Sequence, residues 1–302
     1  MKKNNKKISI IIPAYNESAG IAATLEELIA NIDMEETEII VIDDGSTDNT
    51  AEIVHGYPEV RLIGHTVNKG YGTAIKTGVR NANGEIVVWY DSDGQHRPED
   101  LKKVVDEVVD KDLDYCIGVR GKDSYVDKTR VFGKFILRVF LRVFTHQPIS
   151  DFNSGLRAFK RSVLMQYLSF LPKRFGASTV TTLLMQEEDY IGTEVPITVR
   201  KRMGKSSVRQ IRDGFRTLAL ILNIILLFHP MRVFGGLGTI MILAGAVYGG
   251  VCAIMWNAGL PVFAAVMILF GVQLFCFGLL SHQISCMRKA RLENSDMYTI
   301  IN

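Results

Sequence analysis

The stretch that decides the fold is EIVVWYDSDGQH, residues 85–96. Strand-forming residues run up to Tyr90, and then Asp91 and Asp93, one residue apart, are followed by Gly94 and Gln95. Like charges at the mouth of a buried strand repel each other, so the pair needs a compensating partner. Side chains alternate along an extended backbone, so residues 91 and 93 are expected on one side, with Gln95 adding a neutral oxygen past the turn. A few oxygen ligands suit Mg2+ or Mn2+, which complete their shells with water and phosphate oxygens. Such a cation removes the repulsion and bridges to a diphosphate.

Around this stretch, short apolar runs alternate with helical patterns. ISIIIP (8–13), EIIVIDD (38–44), RLIGH (61–65), EIVVWYD (85–91) and DYCIGVR (114–120) predict strands. Residues 17–32, 46–56, 70–82 and 98–111 predict the intervening helices. Near-continuous Ile/Val runs suit strands buried on both faces, hence an α/β fold with a mostly parallel sheet between helices. Ligands of such sheets collect beyond the carboxyl ends of the strands. The polar ends PAYNE (13–17), DDGSTD (43–48) and DSDGQH (91–96) therefore mark the expected site.

The chain has 302 residues, 22% of them charged, and a net charge of +3, with no nucleic-acid partner expected. Charge is absent from Val233 to Met287. That length suits two membrane crossings of about 20 residues each. WNAGLP (256–261) predicts the turn of a hairpin, with spans at about 233–256 and 261–285. Arg232 before it and RKAR (288–291) after it place both ends on the cytoplasmic side of a cell membrane by the positive-inside rule. The apolar run after the basic start ends at Pro13, too short for a targeting signal. The four cysteines have no CxxC spacing, so neither a disulfide framework nor a zinc site is indicated.

SIIIPAYNES, VIDDGSTDNT, NKGYGTAIKTGV and WYDSDGQHRPEDL, with the later DFNSGLRAFKRSVL and EVPITVRKRMGKSS, resemble the successive signatures of family-2 glycosyltransferases. The branch they resemble holds the dolichol-phosphate mannose synthase-like and polyisoprenyl-phosphate glycosyltransferases. The resemblance implies a GT-A catalytic domain over 1–206, juxtamembrane interfacial helices over 207–231, and a membrane hairpin with a cytoplasmic tail over 232–302. It implies an inverting transfer from a UDP- or GDP-linked sugar to a polyprenyl phosphate, undecaprenyl or dolichyl. Pro13, Tyr15, Glu17 and Asp44 would line the nucleoside pocket, with Asp43 close by. Asp91, Asp93 and Gln95 would hold the metal, Asp91 also counting among the nucleotide-binding residues, and Arg202 would reach the donor diphosphate, with Lys205 and Ser206 nearby. Arg120 and Lys134 would bind the acceptor phosphate, while Asp151 is a base in some relatives and here is expected to orient the acceptor. Asp93, Asp151 and Arg202 form the implied catalytic set. Relatives with such anchors associate through them, so homo-oligomerisation stays open.

RVFGKFILRVFLRVF (130–144) spaces Arg130, Lys134, Arg138 and Arg142 every four residues among aromatics, the pattern of a helix lying in a membrane interface. Arg209, Arg212 and Arg216 suggest a second such helix. Two rivals remain: a synthase acting on another lipid or glycan acceptor, and a non-catalytic scaffold that binds nucleotide sugars at the membrane. A processive polysaccharide synthase would carry Q-x-x-R-W, which is absent.

Overall fold

The computed structural model describes residues 7–121, 151, 154–174, 176–202, 219, 222, 226, 228–256 and 259–296, the last nine of these by backbone alone. Two compact units divide the chain, Met1–Leu220 and Ile221–Asn302.

In the first unit, β1 (Ile8–Ala14), β2 (Thr37–Asp43), β3 (Val60–Gly64), β4 (Ile86–Trp89), β5 (Tyr115–Arg120), β6 (Arg157–Lys160) and β7 (Gly192–Ile197) form one sheet. Their order is β3-β2-β1-β4-β6-β5-β7. Only β6 is antiparallel to its neighbours; the other pairings are parallel. The runs of Ile and Val are continuous because both faces are covered. Ile10, Ile12, Ile39, Val41 and Val88 share a core with α1 (Ile21–Asn31) and α4 (Pro98–Asp110). On the opposite face α3 (Tyr71–Asn81) packs on β1 and β2, with Gly78 against Ile11. Helices α2 (Thr50–His55), α5 (Arg161–Tyr167) and α6 (Ala177–Glu187) complete the layers. Pro98 opens α4 and Glu99 and Asp100 occupy its first turn, so fixed φ and helix dipole both favour this start.

The sequence predicts β1 to β5; β6 and β7 are additions. β6 is four residues long and begins with a buried Arg157, and β7 carries Pro196 and a largely half-exposed face. Neither presents the apolar run by which a central strand is recognised.

The second unit contains a π-helical turn (Met231–Gly235), α7 (Gly236–Trp256) and α8 (Val262–Asp296). Met231–Trp256 and Val262–Met287 are each long and apolar enough to cross a membrane. At 1.5 Å per residue each is about 39 Å long, beyond the ~30 Å hydrocarbon core. Their large side chains face outwards, Ile254 at 86% and Val262 at 80% exposure, as lipid-facing residues would. Gly238 and Gly271 bring the helix backbones together: a Cβ on Gly238 would stand 2.6 Å from the Gly271 carbonyl oxygen. α8 runs on past the apolar stretch to Asp296. Lys134, Lys205, Ser206, the 130–144 stripe, and Arg209, Arg212 and Arg216 lie outside the described residues.

Candidate active site

Because β1, β2 and β4 are parallel, their carboxyl ends open on one rim, and side chains lace them together. Asn16, at φ 54°, donates its N–H to Ser46 Oγ (3.0 Å) and accepts at Oδ1 from the Thr47 N–H (2.8 Å). Glu17 N–H donates to Thr50 Oγ1 (2.9 Å), and Ser92 Oγ donates to the Pro13 carbonyl (3.0 Å). Pro13 is buried, and Tyr15 is exposed on the rim.

One sequence argument needs correction here. β4 stops at Trp89, and Asp91 and Asp93 lie beyond it around a turn completed by Gly94 at φ 72°. Extended-strand alternation therefore does not govern the two aspartates; the turn does. They nevertheless feel each other. Burial, and then the Asp91 charge, push Asp93 up to about 6, against the opposing pull of Arg202. Burial acts against the Asp91 charge too, but hydrogen bonds from His96 and Tyr71, with Arg202 nearby, hold it below the usual range.

Arg202 sits between acids. Its Nη2 donates to Glu17 Oε1, and its Nε lies 3.5 Å from Asp93 Oδ2. That Nε is buried and makes no hydrogen bond among the described residues. Glu17 is raised to about 7, by burial first, with Arg202 opposing and Asp93 and Asp91 adding. Arg202 reaches this place because the chain after β7 is bound to the aspartate turn. Arg200 N–H donates to the Gln95 carbonyl (2.9 Å), and Gln95 Nε2 donates to the Arg200 carbonyl (3.1 Å). Arg200 is further held by both oxygens of Glu27, at 2.8 Å each.

Asp44 stands apart from this cluster, 3% exposed. Its Oδ1 meets His65 Nδ1 (2.7 Å) and accepts from the Lys69 N–H (2.9 Å), and its Oδ2 accepts from the Gly70 N–H (2.7 Å). Its carboxylate thus pins the turn that leads into α3. Asp43 accepts from the Ser46 N–H at 3.2 Å. Arg120 and Asp151, assigned separate tasks by the sequence, form a two-point ion pair: Nε to Oδ2 2.5 Å, Nη2 to Oδ1 3.0 Å.

Three residues of the site were missed by sequence reasoning: Tyr71, His96 and Arg157. Tyr71 Oη donates to Asp91 Oδ1 (3.3 Å), and His96 Nε2 faces Asp91 Oδ2 (3.4 Å). Arg157 is wholly buried and lowered by burial to about 10. Its Nε donates to the Ser154 carbonyl (2.7 Å), and its Nη1 to the Ser178 carbonyl (2.7 Å) and Thr182 Oγ1 (2.6 Å). It ties the 154–156 loop to α6. An Arg inside GLRAFK, among apolar neighbours, was the available signal; Tyr71 between two glycines offered none.

The residues present fit a divalent cation. Two aspartates and Glu17 gather around one arginine, and two of the acids are driven towards protonation by burial first and then by that crowding. A cation at the pair would relieve it. No group of three or more His, Cys, Asp or Glu forms a metal cage among the described residues. A pair of carboxylates leaves coordination positions for other oxygens.

Comparison with known proteins places this geometry in a family. The model of "Glycosyl transferase family 2" matches residues 9–168, and that of the "GtrB C-terminal hairpin" matches 229–287. A UDP-N-acetylglucosamine–dolichyl-phosphate N-acetylglucosaminyltransferase of Methanococcus voltae is 30% identical over 70% of this chain and 93% of its own length. An undecaprenyl-phosphate 4-deoxy-4-formamido-L-arabinose transferase of Yersinia enterocolitica is 26% identical over 92% of this chain and 88% of its own. In fold, the chain is similar to glucosyl-3-phosphoglycerate synthase of Mycobacterium tuberculosis, crystallised with Mn2+, UDP and phosphoglyceric acid. There the TM-score is 0.60 at 21% identity, over 74% of this chain and 80% of that one. Acid turn, acid-flanked arginine and mostly parallel sheet thus stand in the frame of a GT-A enzyme, and the chain belongs to glycosyltransferase family 2.

Proposed function

We propose that this glycosyltransferase moves a sugar from a UDP- or GDP-linked donor to a polyprenyl phosphate, using a divalent cation and inverting the anomeric carbon. The observation that carries the reading is Arg202 set between Glu17 and Asp93 at the rim shared by three strand ends. Support for the lipid acceptor comes from the two apolar spans and from relatives named for dolichyl and undecaprenyl phosphate. Support for the cation comes from the acid crowding and from a fold neighbour crystallised with Mn2+ and UDP.

In this proposal residues 1–206 are the catalytic domain, 207–231 lie at the membrane interface, and 232–302 anchor the chain with the catalytic domain on the cytoplasmic side. Pro13, Tyr15 and Glu17 line the nucleoside pocket, and Asp44 shapes it through the turn it holds. Asp91, Asp93 and the amide oxygen of Gln95 hold Mg2+ or Mn2+, which when bound supplies charge neutralisation for the donor diphosphate. Arg202 and Lys205 bind the same diphosphate, and Arg202 stabilises the charge that grows on it as the sugar leaves. Arg120 and Lys134 bind the acceptor phosphate, whose second pKa near ~6 leaves it mostly dianionic at neutral pH. A strong base is then unnecessary, and Asp151 orients Arg120.

A screen of UDP- and GDP-sugars with the detergent-solubilised protein, Mn2+ and a short polyprenyl phosphate tests this, read by the mass of the lipid product. A sugar-phosphoryl lipid that disappears in EDTA is expected. Nucleotide release without lipid product under every donor would overturn the reading.

A further inference from the structure

We propose that Tyr71 and His96 are positioning residues that fix the Asp91 carboxylate for the divalent cation, one on each oxygen; the inference rests on the metal-dependent reading above. Tyr71 Oη donates to Oδ1 at 3.3 Å and His96 Nε2 meets Oδ2 at 3.4 Å. Both contacts are at the long end of the hydrogen-bond range. A carboxylate has about four lone-pair positions. One donor on each oxygen fixes the plane of the group and leaves lone pairs on both for a cation, the usual work of groups behind metal ligands.

The surroundings hold both donors and the acceptor in place. Tyr71 opens α3 between Gly70, at φ +99°, and Gly72, whose added Cβ would lie 2.0 Å from the Pro172 carbonyl oxygen. Gly72 N–H donates to the Arg174 carbonyl (3.1 Å), so the first turn of α3 is pressed onto the 172–174 loop and the backbone that carries Tyr71 is fixed. His96 is 4% exposed; its carbonyl accepts from Tyr90 Oη (2.9 Å), and its ring stands edge-on to Tyr90 at 5.5 Å. Its Nδ1 is buried without a hydrogen-bond partner among the described residues. A carboxylate only accepts, so Nε2 carries a proton and is the donor to Oδ2. Beneath Asp91 lies Gly155, where an added Cβ would stand 1.9 Å from Oδ2. The carboxylate is therefore clamped from both sides and from below, and this clamp joins α3, the aspartate turn and the loop before β6.

The test is Mn2+ binding to the full detergent-solubilised chain, read by the electron paramagnetic resonance of free Mn2+, with saturating UDP and separately GDP. Tyr71→Phe and His96→Leu are expected to weaken Mn2+ about 10- to 100-fold. His96→Gln, which keeps an N–H near the Nε2 position, is expected to restore affinity close to that of the parent protein. Melting in EDTA reports folding independently of metal, and a merely structural role would lower it without a selective loss of Mn2+. Tight binding by the parent protein with unchanged affinity in Tyr71→Phe and His96→Leu overturns the clamp and leaves the metal reading standing. Should Tyr71→Phe fail to fold, equal Mn2+ affinity of His96→Leu and His96→Gln overturns it. No binding by the parent protein with either nucleotide overturns both.

Discussion

Gln95 and Arg200 exchange two hydrogen bonds, Arg200 N–H to the Gln95 carbonyl at 2.9 Å and Gln95 Nε2 to the Arg200 carbonyl at 3.1 Å. Through them a segment more than a hundred residues further along the chain is built into the aspartate turn, and Arg202 is delivered to Glu17 and Asp93.

Removing Arg202 should therefore hurt catalysis more than donor binding. Arg202→Ala is expected to lower kcat by about 10²- to 10³-fold, the scale seen on deleting one group that stabilises developing charge. Steady-state kinetics with the best donor checks this; an unchanged kcat with a raised KM would assign Arg202 to ground-state binding alone.

The acid cluster makes the metal-free protein less stable as pH rises. Asp93 at about 6 and Glu17 at about 7 lie above their ordinary values near ~4. Between those values the folded chain binds more protons than the unfolded one, so stability is present at low pH and is lost as pH climbs through 6 to 7. Asp93→Asn should remove part of this slope and raise stability at pH ~7.5 by roughly 2 kcal/mol. Thermal melts in EDTA at pH ~5 and ~7.5 measure both effects, and a parallel shift of parent and variant would contradict them.

Asp151→Asn weakens the two-point pair with Arg120 without removing a required base. Acceptor KM is expected to rise while the shape of the pH–rate profile is kept. A lost acidic limb in the variant, with activity recovering only at high pH, would return the base role to Asp151.

Arg157→Lys keeps the charge but loses the planar fork. The Ser154 carbonyl then loses its Arg157 donor, at roughly 1–3 kcal/mol for a buried acceptor left unpaired, while the Ser178 carbonyl keeps the Thr181 and Thr182 hydroxyls. A melting temperature lower by several degrees, with Asp91-dependent Mn2+ binding also weakened through the Ser154–Gly155 loop, is the expected result. An unchanged melt would show that this buried guanidinium is dispensable.

How much of this was legible depends on how local each signal is. β1, β2 and β4 announce themselves because burial on both faces demands unbroken Ile and Val. The polar strand ends follow from the same parallel arrangement, and the three meet as expected. Asp91 and Asp93 are singled out in the sequence by a strand argument that the structure corrects, since a turn and not a strand presents them. Tyr71, His96 and Arg157 act by touching residues distant in sequence, and no local pattern encodes a partner 24 residues away such as Thr181. The Arg120–Asp151 pair was hidden for the same reason, though both residues were singled out.

The one reversed strand has an architectural consequence. β5 leaves the sheet at Arg120 and β6 re-enters at Arg157, opposite Trp89 and Ile117, so departure and return fall on the same side as the aspartate turn. Arg120 at one root of the intervening segment and Gly155 at the other therefore stand on that rim, with Gly155 directly against the Asp91 carboxylate. On the proposed function, a graft between those two strands could serve a new acceptor only if it keeps Gly155, since any larger residue there would strike the Asp91 carboxylate on the donor side.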